Sequence, residues 1–452
     1  MSAGNNRRRL VVAGLVAGLA IGAAVGATSL TGASSEDSSD VQPVVLHVAR
    51  VLADPDVDLE LAAGLFCPRI DACEVASAIA HVLSGGSDRW TDVAGEADGN
   101  GYRFVVPGGL VAEEGLSYWL EFAIEGGGAP VRFPDGAAAT PFRVVTTAGL
   151  REVTWPGVFD WTSARSSDGV VARLGYGDAP DQVGRVGGVG EEQPLGPSSF
   201  DVAPDGSIHV ADWVHGRVLL LSPHGNYRRA VPLPIRRPVD IAVGARGELA
   251  ATTLGLGATA FELGADGRVI GRYGVETGVA ERIALTPGGP HVWVGPAQWA
   301  PVRSRPGVAL PAAAQSRGLA SAVPGREGAV ALSQDLSGGR VAFVWARPDG
   351  SRSGAVLRLP AEAQTGVDYF VRGLPDGGAL VARGLWSEEG EAVALLRFAA
   401  DGSLVRAELI APPSREMDAA ASAVRFRGPD QVLAVYADAH GIRIERFEVK
   451  AR

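Results

Sequence analysis

Lysine is nearly missing from this chain: the single one is Lys450, two residues from the C-terminus. Its absence elsewhere excludes the Gly-Lys-Ser/Thr phosphate loop and leaves no amine for Schiff-base chemistry in the body of the protein. Cysteine is scarce too, with only Cys67 and Cys73, in the segment FCPRIDACEV. Their spacing lacks the paired CxxC elements of a zinc site, and no histidine lies between them. There are seven histidines, and no HExxH, GxSxG or EF-hand loop. The glycine-rich LGLGATA, Leu254 to Ala260, stands among strand patterns with no helix behind it, which excludes a dinucleotide fingerprint. Acidic residues outnumber basic ones, 51 to 41. No basic run interleaved with aromatics follows the N-terminus, so a phosphate backbone would be repelled and nucleic acid is excluded as a partner.

What is present is strand material. Gly, Val, Ala and Pro prevail over the helix-favouring Glu, Lys and Gln, and 46% of the 452 residues are hydrophobic. An all-β protein with two buried cores is expected.

Arg7, Arg8 and Arg9 precede an uncharged apolar run from Leu10 to about Ala27, followed by TGASSEDSSD. Residues 1–30 therefore read as a signal peptide or membrane anchor and 31–42 as a linker. At roughly 18 residues the run is at the lower edge for spanning a bilayer and long for a cleaved signal, so both readings stand. The charge before it orients the remainder away from the cytoplasm, giving an extracytoplasmic protein, secreted or anchored through that helix if it is uncleaved. Arg7-Arg8 ahead of a Gly/Ala-rich run also resembles a twin-arginine signal. In that oxidising setting a local Cys67–Cys73 disulfide is expected to pin one turn, with two buried free thiols as the alternative.

From about 43 to 148, seven apolar runs (VVLHVARVL, VDLELAA, VASAIAHVL, YRFVVP, LSYWLEFAI, VRFP, PFRVVTT) predict a β-sandwich; the alanines of VASAIAHVL leave a helix open there. The passage YRFVVPGGLVAEEGLSYWLEFAIEGGGAPVRFPDGAAATPFRVV resembles the end of bacterial immunoglobulin- or fibronectin III-like modules. That resemblance implies a structural role for Tyr118, its hydroxyl bonded to nearby backbone.

From about 165 to 452, six units of four short strands recur, their first strands beginning near Phe200, Val239, Arg282, Ala329, Phe370 and Ala423. Steps of about 39 to 53 residues are propeller repeat lengths and predict a six-bladed β-propeller, seven remaining possible because 294–326 has no clear strands. The early strand Val170-Val171-Ala172-Arg173 could complete the last unit. In the first unit, IHVADWVHGRVLLLSPHG resembles an NHL repeat at Val210, Asp212, Arg217, Val218 and Gly225, with His215 where that family usually has Asn. The resemblance implies that Asp212 and Arg217 buttress a turn.

Propeller sites gather where inner strands converge. Asp201 and Asp240, read as equivalent positions of the first two units, could hold calcium or polarise a water for a metal-assisted hydrolase or lyase; the alternative is that each caps a neighbouring strand. Asn226 is the only asparagine in the propeller and lies in an outer turn, and His209 and His291 sit on second strands. Trp299 and Trp386, near irregular insertions, are candidate binding anchors for a protein or carbohydrate ligand, or packing residues between blades. The leading expectation is a binding scaffold with no required cofactor, calcium remaining open; a structural envelope component is the third reading. For a binder, Asp201→Ala with Asp240→Ala should alter neither a chemical turnover nor, grossly, folding.

Overall fold

The computed structural model describes most of residues 44–451; residues 1–43, 67–73, 188–195, 254–258, 275–281, 302–330 and 414–422 are among those outside the description. The export segment and linker, Cys67 and Cys73 all fall outside it. The described chain is almost entirely β, with three short 3-10 turns as its only helical elements. Among the described residues no helix is long and apolar enough to cross a membrane.

Two sheets come first. One orders Val44–His47, Leu59–Phe66, Gly101–Val106 and Glu96–Asp98. The other orders Leu52–Ala53, Phe142–Thr146, Leu116–Ile124, Val75–Ser84 and Thr91–Ala94, with Val131–Phe133 also paired to Leu116–Ile124. VASAIAHVLS is a strand throughout: its burial alternates, and Ala78, Ala80 and Val82 enter the core while Ile79, His81 and Leu83 face out. Small alanines suit that face because Phe104, Tyr118, Leu120 and Phe122 fill the space between the sheets.

The rest of the chain is a β-propeller built of antiparallel meanders. Its first sheet comprises Ser199–Val202, Ile208–Asp212, Arg217–Leu221 and Tyr227–Pro232. The second comprises Pro238–Val243, Leu249–Thr253, Thr259–Leu263 and Val269–Gly274. Three described strands, Ile283–Thr286, Gly289–Gly295 and Gln298–Pro301, make the third. The fourth holds Ala331–Leu336, Arg340–Ala346 and Arg352–Arg358; the fifth Gln364–Gly373, Ala379–Trp386, Glu391–Phe398 and Leu404–Ile410. The sixth holds Val424–Arg427, Gln431–Ala437 and Gly441–Glu448. The first strands of the sixth, first, second and third sheets touch in succession, as do those of the fourth, fifth and sixth.

Short turns make the meanders possible. Asp205-Gly206, Asp266-Gly267, Asp376-Gly377 and Asp401-Gly402 each place glycine at a φ of 80 to 84°, while the aspartate accepts the N–H two residues on. That combination is why Asp-Gly recurs between apolar runs. Both faces of the first and second sheets are covered by neighbours, so their strands read as continuous apolar runs; Ile208–Asp212 and Pro238–Val243 are buried at every position.

Two outer strands come from earlier in the chain. Gly169–Gly175 pairs antiparallel with Gly441–Glu448 and buries Ala172 and Leu174 between the sixth and first sheets. A side chain at Gly225 would meet the carbonyl oxygen of Val171 at 1.9 Å, so a turn of the first sheet sits directly on that closing strand. Arg151–Thr154 pairs parallel with Arg352–Arg358 in the fourth sheet. Between them, Arg165 bridges to Ile410 of the fifth sheet. One segment thus spans three successive sheets. It also ties down the N-terminal pair of sheets, whose core takes in Ala342, Val344 and Val356 and whose Asp54 is paired with Arg340.

The fourth sheet departs from the sequence expectation. Ser199 and Asp201 meet Ile241 and Val243 in ascending order, so the first strands of sheets one and two run in the same direction. Asp335, near the end of Ala331–Leu336, instead meets Thr365 at the start of Gln364–Gly373. Trp345, near the end of the next strand, donates to Gly377 in the turn after Gln364–Gly373. Ala331–Leu336 heads the fourth sheet, as expected of a first strand near Ala329, but runs against its neighbour. Apolar periodicity marks strands without marking their direction.

Candidate functional site

Asp201 and Asp240 are both buried where the inner strands of the first, second and sixth sheets meet. They are not equivalent positions. Asp201 stands opposite His209, whereas Asp240 stands opposite Thr252 and corresponds to Ser199, which stands opposite Ala211. The similar triplets Phe-Asp-Val and Val-Asp-Ile suggest a match, but register is counted from the Gly206 and Gly247 turns, which shifts one by two residues. A shift of two preserves the face, so both side chains still point to the next sheet.

There they satisfy an edge that has no strand beyond it. Asp201 Oδ2 accepts the Val243 N–H at 2.8 Å and Asp240 Oδ2 accepts the Ile283 N–H at 3.0 Å. Ser199 Oγ accepts the Ile241 N–H at 3.2 Å. An innermost strand leaves one row of N–H groups unpaired, and polar side chains of the preceding sheet supply the acceptors.

The second oxygen of each carboxylate faces one cation that sequence reasoning missed. Arg425, in the first strand of the sixth sheet, places Nε 3.3 Å from Asp201 Oδ1 and Nη2 3.3 Å from Asp240 Oδ1. All three side chains are under one tenth exposed. The planar guanidinium with its forked N–H groups can bridge two carboxylates that a lone ammonium would not align. The signal was legible: in AVRFRG an arginine alternates with apolar residues inside a strand, so it must face the opposite side from Val424 and Phe426.

Beside this triad, His209 Nε2 lies 3.3 Å from Ser207 Oγ, while His209 Nδ1 and Thr252 Oγ1 are buried without a hydrogen-bond partner among the described residues. Burial pulls the His209 pKa down to about 4, against the opposing charges of Asp201 and Asp205. The ring is neutral at physiological pH. His291 is half-buried opposite Ala284 in the third sheet. Asn226 lies at an outer turn closed by the Ser222 hydroxyl. Among the described residues no group of three His, Cys, Asp or Glu side chains could hold a metal ion.

A second polar centre surrounds Asp212, which has no exposed side-chain surface. It accepts from Gly184 N at 3.1 Å, His215 Nδ1 at 2.6 Å and Arg217 Nε at 2.9 Å. Arg217 also donates to the Ala179 and Gln182 carbonyls, and His215 Nε2 reaches Asp178 at 3.0 Å. Asp212 and Arg217 thus bind the connection from the closing strand onto the first sheet. For His215, burial opposes the charged form, but bonds to Asp212 and Asp178 together with the charge of Asp212 outweigh it and raise the pKa.

Tyr118 is fully buried in the N-terminal module. Its oxygen accepts the Arg50 N–H at 3.0 Å and its hydroxyl lies 2.8 Å from His47 Nε2, whose Nδ1 bonds the Ala62 carbonyl. Burial raises the Tyr118 pKa and lowers that of His47 to about 4.

Trp386 ends the second strand of the fifth sheet, half-buried, and its indole N–H donates to the Thr365 carbonyl at 3.0 Å. Trp299 stands opposite Trp293 in the register of the third sheet, and its side chain lies outside the description. Trp213, in the corresponding turn of the first sheet, lies under the Arg237 guanidinium at 4.9 Å. The turns at Trp213 and after Trp386 both join second to third strands, so they lie at one end of the ring, and Trp213 was not anticipated.

No family model and no curated protein matches the sequence. Among solved structures, a protein of unknown function from Bacteroides thetaiotaomicron is 11% identical, covering 90% of this chain and 99% of its own, with a TM-score of 0.34. Streptogramin B lyase is 11% identical over 86% of this chain and 98% of its own, TM-score 0.29. The calcium-binding protein regucalcin from Agrobacterium tumefaciens is 14% identical over 62% and 99%, TM-score 0.24. Likenesses at this level carry no argument about this chain's activity.

Proposed function

We propose that this is an exported or membrane-anchored cell-envelope protein in which a six-bladed propeller, joined to an immunoglobulin/fibronectin III-like sandwich at about Gly149, serves as a binding scaffold for a protein or carbohydrate. The observation that carries the reading is the engagement of Asp201 and Asp240. Each carboxylate accepts a backbone N–H with one oxygen and faces Arg425 with the other. To ligate calcium or activate a water they would have to release both partners, leaving a buried guanidinium uncompensated. A binder needs a rigid ring and accessible turns, and the end carrying Trp213 and Trp386 offers aromatic residues at such turns.

The test is a paired screen of the purified extracytoplasmic portion. Immobilised glycans and envelope extracts should yield a saturable ligand weakened by Trp213→Ala or Trp386→Ala. Lactones, organophosphates and uronic-acid polymers, with and without calcium, should give no turnover. Calcium-dependent turnover lost in Asp201→Asn would replace this reading with the metal-assisted hydrolase or lyase.

A further inference from the structure

Arg427 closes the first strand of the sixth sheet, two residues beyond Arg425 and therefore on the same face, toward the first sheet. It is half-buried, and among the described residues its guanidinium makes no hydrogen bond or ion pair. Its Nε lies 3.5 Å, and its Nη2 3.7 Å, from where a side chain on Gly206 would begin, beside Pro223, so it projects over two turns of the first sheet. Arg446, on the third strand of the same sheet, lies close enough for its charge to act on Arg427, and its own Nε is buried without a partner. Its one hydrogen bond, from Nη2 to the Asp168 carbonyl, is long at 3.4 Å.

The nearby acids are engaged elsewhere. Asp205 accepts the Ser207 N–H and hydroxyl, Asp168 accepts from Arg165 and the Glu448 N–H, and Glu448 pairs with Lys450. Arg372 approaches the neighbouring Gly428 carbonyl and adds further positive charge. Burial first, and the charge of Arg446 second, both disfavour the charged form of Arg427. Elsewhere in the ring buried arginines are paired: Arg425 with two aspartates, Arg397 with Asp376 and Asp430, Arg383 with Asp335.

We propose that Arg427 and Arg446 form an oxyanion-binding site at the seam of the sixth and first sheets, taking a carboxylate, sulfate or phosphate group between the two guanidinium forks. A forked guanidinium offers paired N–H donors that match two oxygens of such a group; the Asp168 charge acts on Arg446 alone, and a bound anion would supply the negative charge that Arg427 lacks. The site lies apart from the tryptophan-bearing turns, so its test is independent of the binding screen above.

The experiment is calorimetric titration, with thermal melts, of the folded protein at constant ionic strength balanced by sodium chloride, using inorganic phosphate, sulfate and D-glucuronate as separate probes. At least one should bind saturably and raise the melting temperature. Arg427→Gln should weaken that binding about ten-fold or more, the loss of charge-assisted bonds, while melting no lower than wild type without anion because a repulsion is removed. Arg446→Gln should weaken it similarly. Preference for glucuronate would assign the site to an acidic saccharide or carboxylate, and preference for phosphate or sulfate to those groups. Absence of saturable binding by all three probes, or equal affinity in Arg427→Gln, would overturn the proposal.

Discussion

The fourth and sixth sheets of the ring both borrow their outermost strand from the segment that precedes it, and they use that strand differently. Gly169–Gly175 delivers Ala172 and Leu174 into the core shared by the sixth and first sheets. Arg151–Thr154 is exposed or half-exposed at every position, and its charged side chains meet Asp401 and Arg358 at the surface. One strand closes the ring through apolar burial. The other adds backbone pairing and surface ion pairs worth about 0–1 kcal/mol each, and its main consequence is to fasten the N-terminal module beside the fourth sheet.

The difference sets the order of expected effects. Deleting residues 165–175 should expose apolar edges on two sheets and produce aggregation or loss of cooperative unfolding, whereas replacing residues 151–154 with a Gly/Ser segment should leave a folded ring; equal melting curves for the two variants would break the comparison. Next come the buried arginines. Arg425→Ala strands two buried carboxylates and should cost about 3–5 kcal/mol in denaturant unfolding. Arg383→Ala in the fifth sheet should cost clearly less, because its partner Asp335 is about half exposed and keeps the Thr365 hydroxyl. By the same geometry, removing Asp201 and Asp240 together should destabilise the fold, contrary to the sequence expectation that folding would not be grossly altered. Leu174→Ala should cost about 2–5 kcal/mol by opening a cavity; Val153→Ala in the other borrowed strand should stay below about 1.5 kcal/mol, being only half-buried.

The effects of pH are conditional on the pH chosen, and two histidines of the first sheet act with opposite sign. His209, held neutral with a pKa of about 4, contributes fully above its unfolded value of 6.5, and that contribution is lost as pH falls from there toward 4. His215, whose folded pKa is raised above 6.5, contributes fully below 6.5 and loses its contribution as pH rises through the folded value. Melting temperatures from pH 4 to 9 should therefore lose part of their acid slope in His209→Gln, His47 keeping the rest, and part of their alkaline slope in His215→Asn. A His215→Asn profile superimposable on wild type would sever the link between Asp178 and the closing connection.

The sequence by itself determined the elements. Apolar runs of strand length, Asp-Gly turns at regular intervals and a Val170 strand without a partner lead to a propeller, because strand period and turn chemistry are local properties. It also determined that Asp212 and Arg217 belong together, since Asp212 faces Arg217 across one hairpin. Long-range pairing settled everything that depends on which strand meets which: that Asp240 matches Ser199 rather than Asp201, that the first strand of the fourth sheet runs against its neighbour, and that Arg425, more than 180 residues away, reaches both aspartates. Direction, register between sheets and the partner of a buried charge are set by ring closure, a long-range event that no local pattern records.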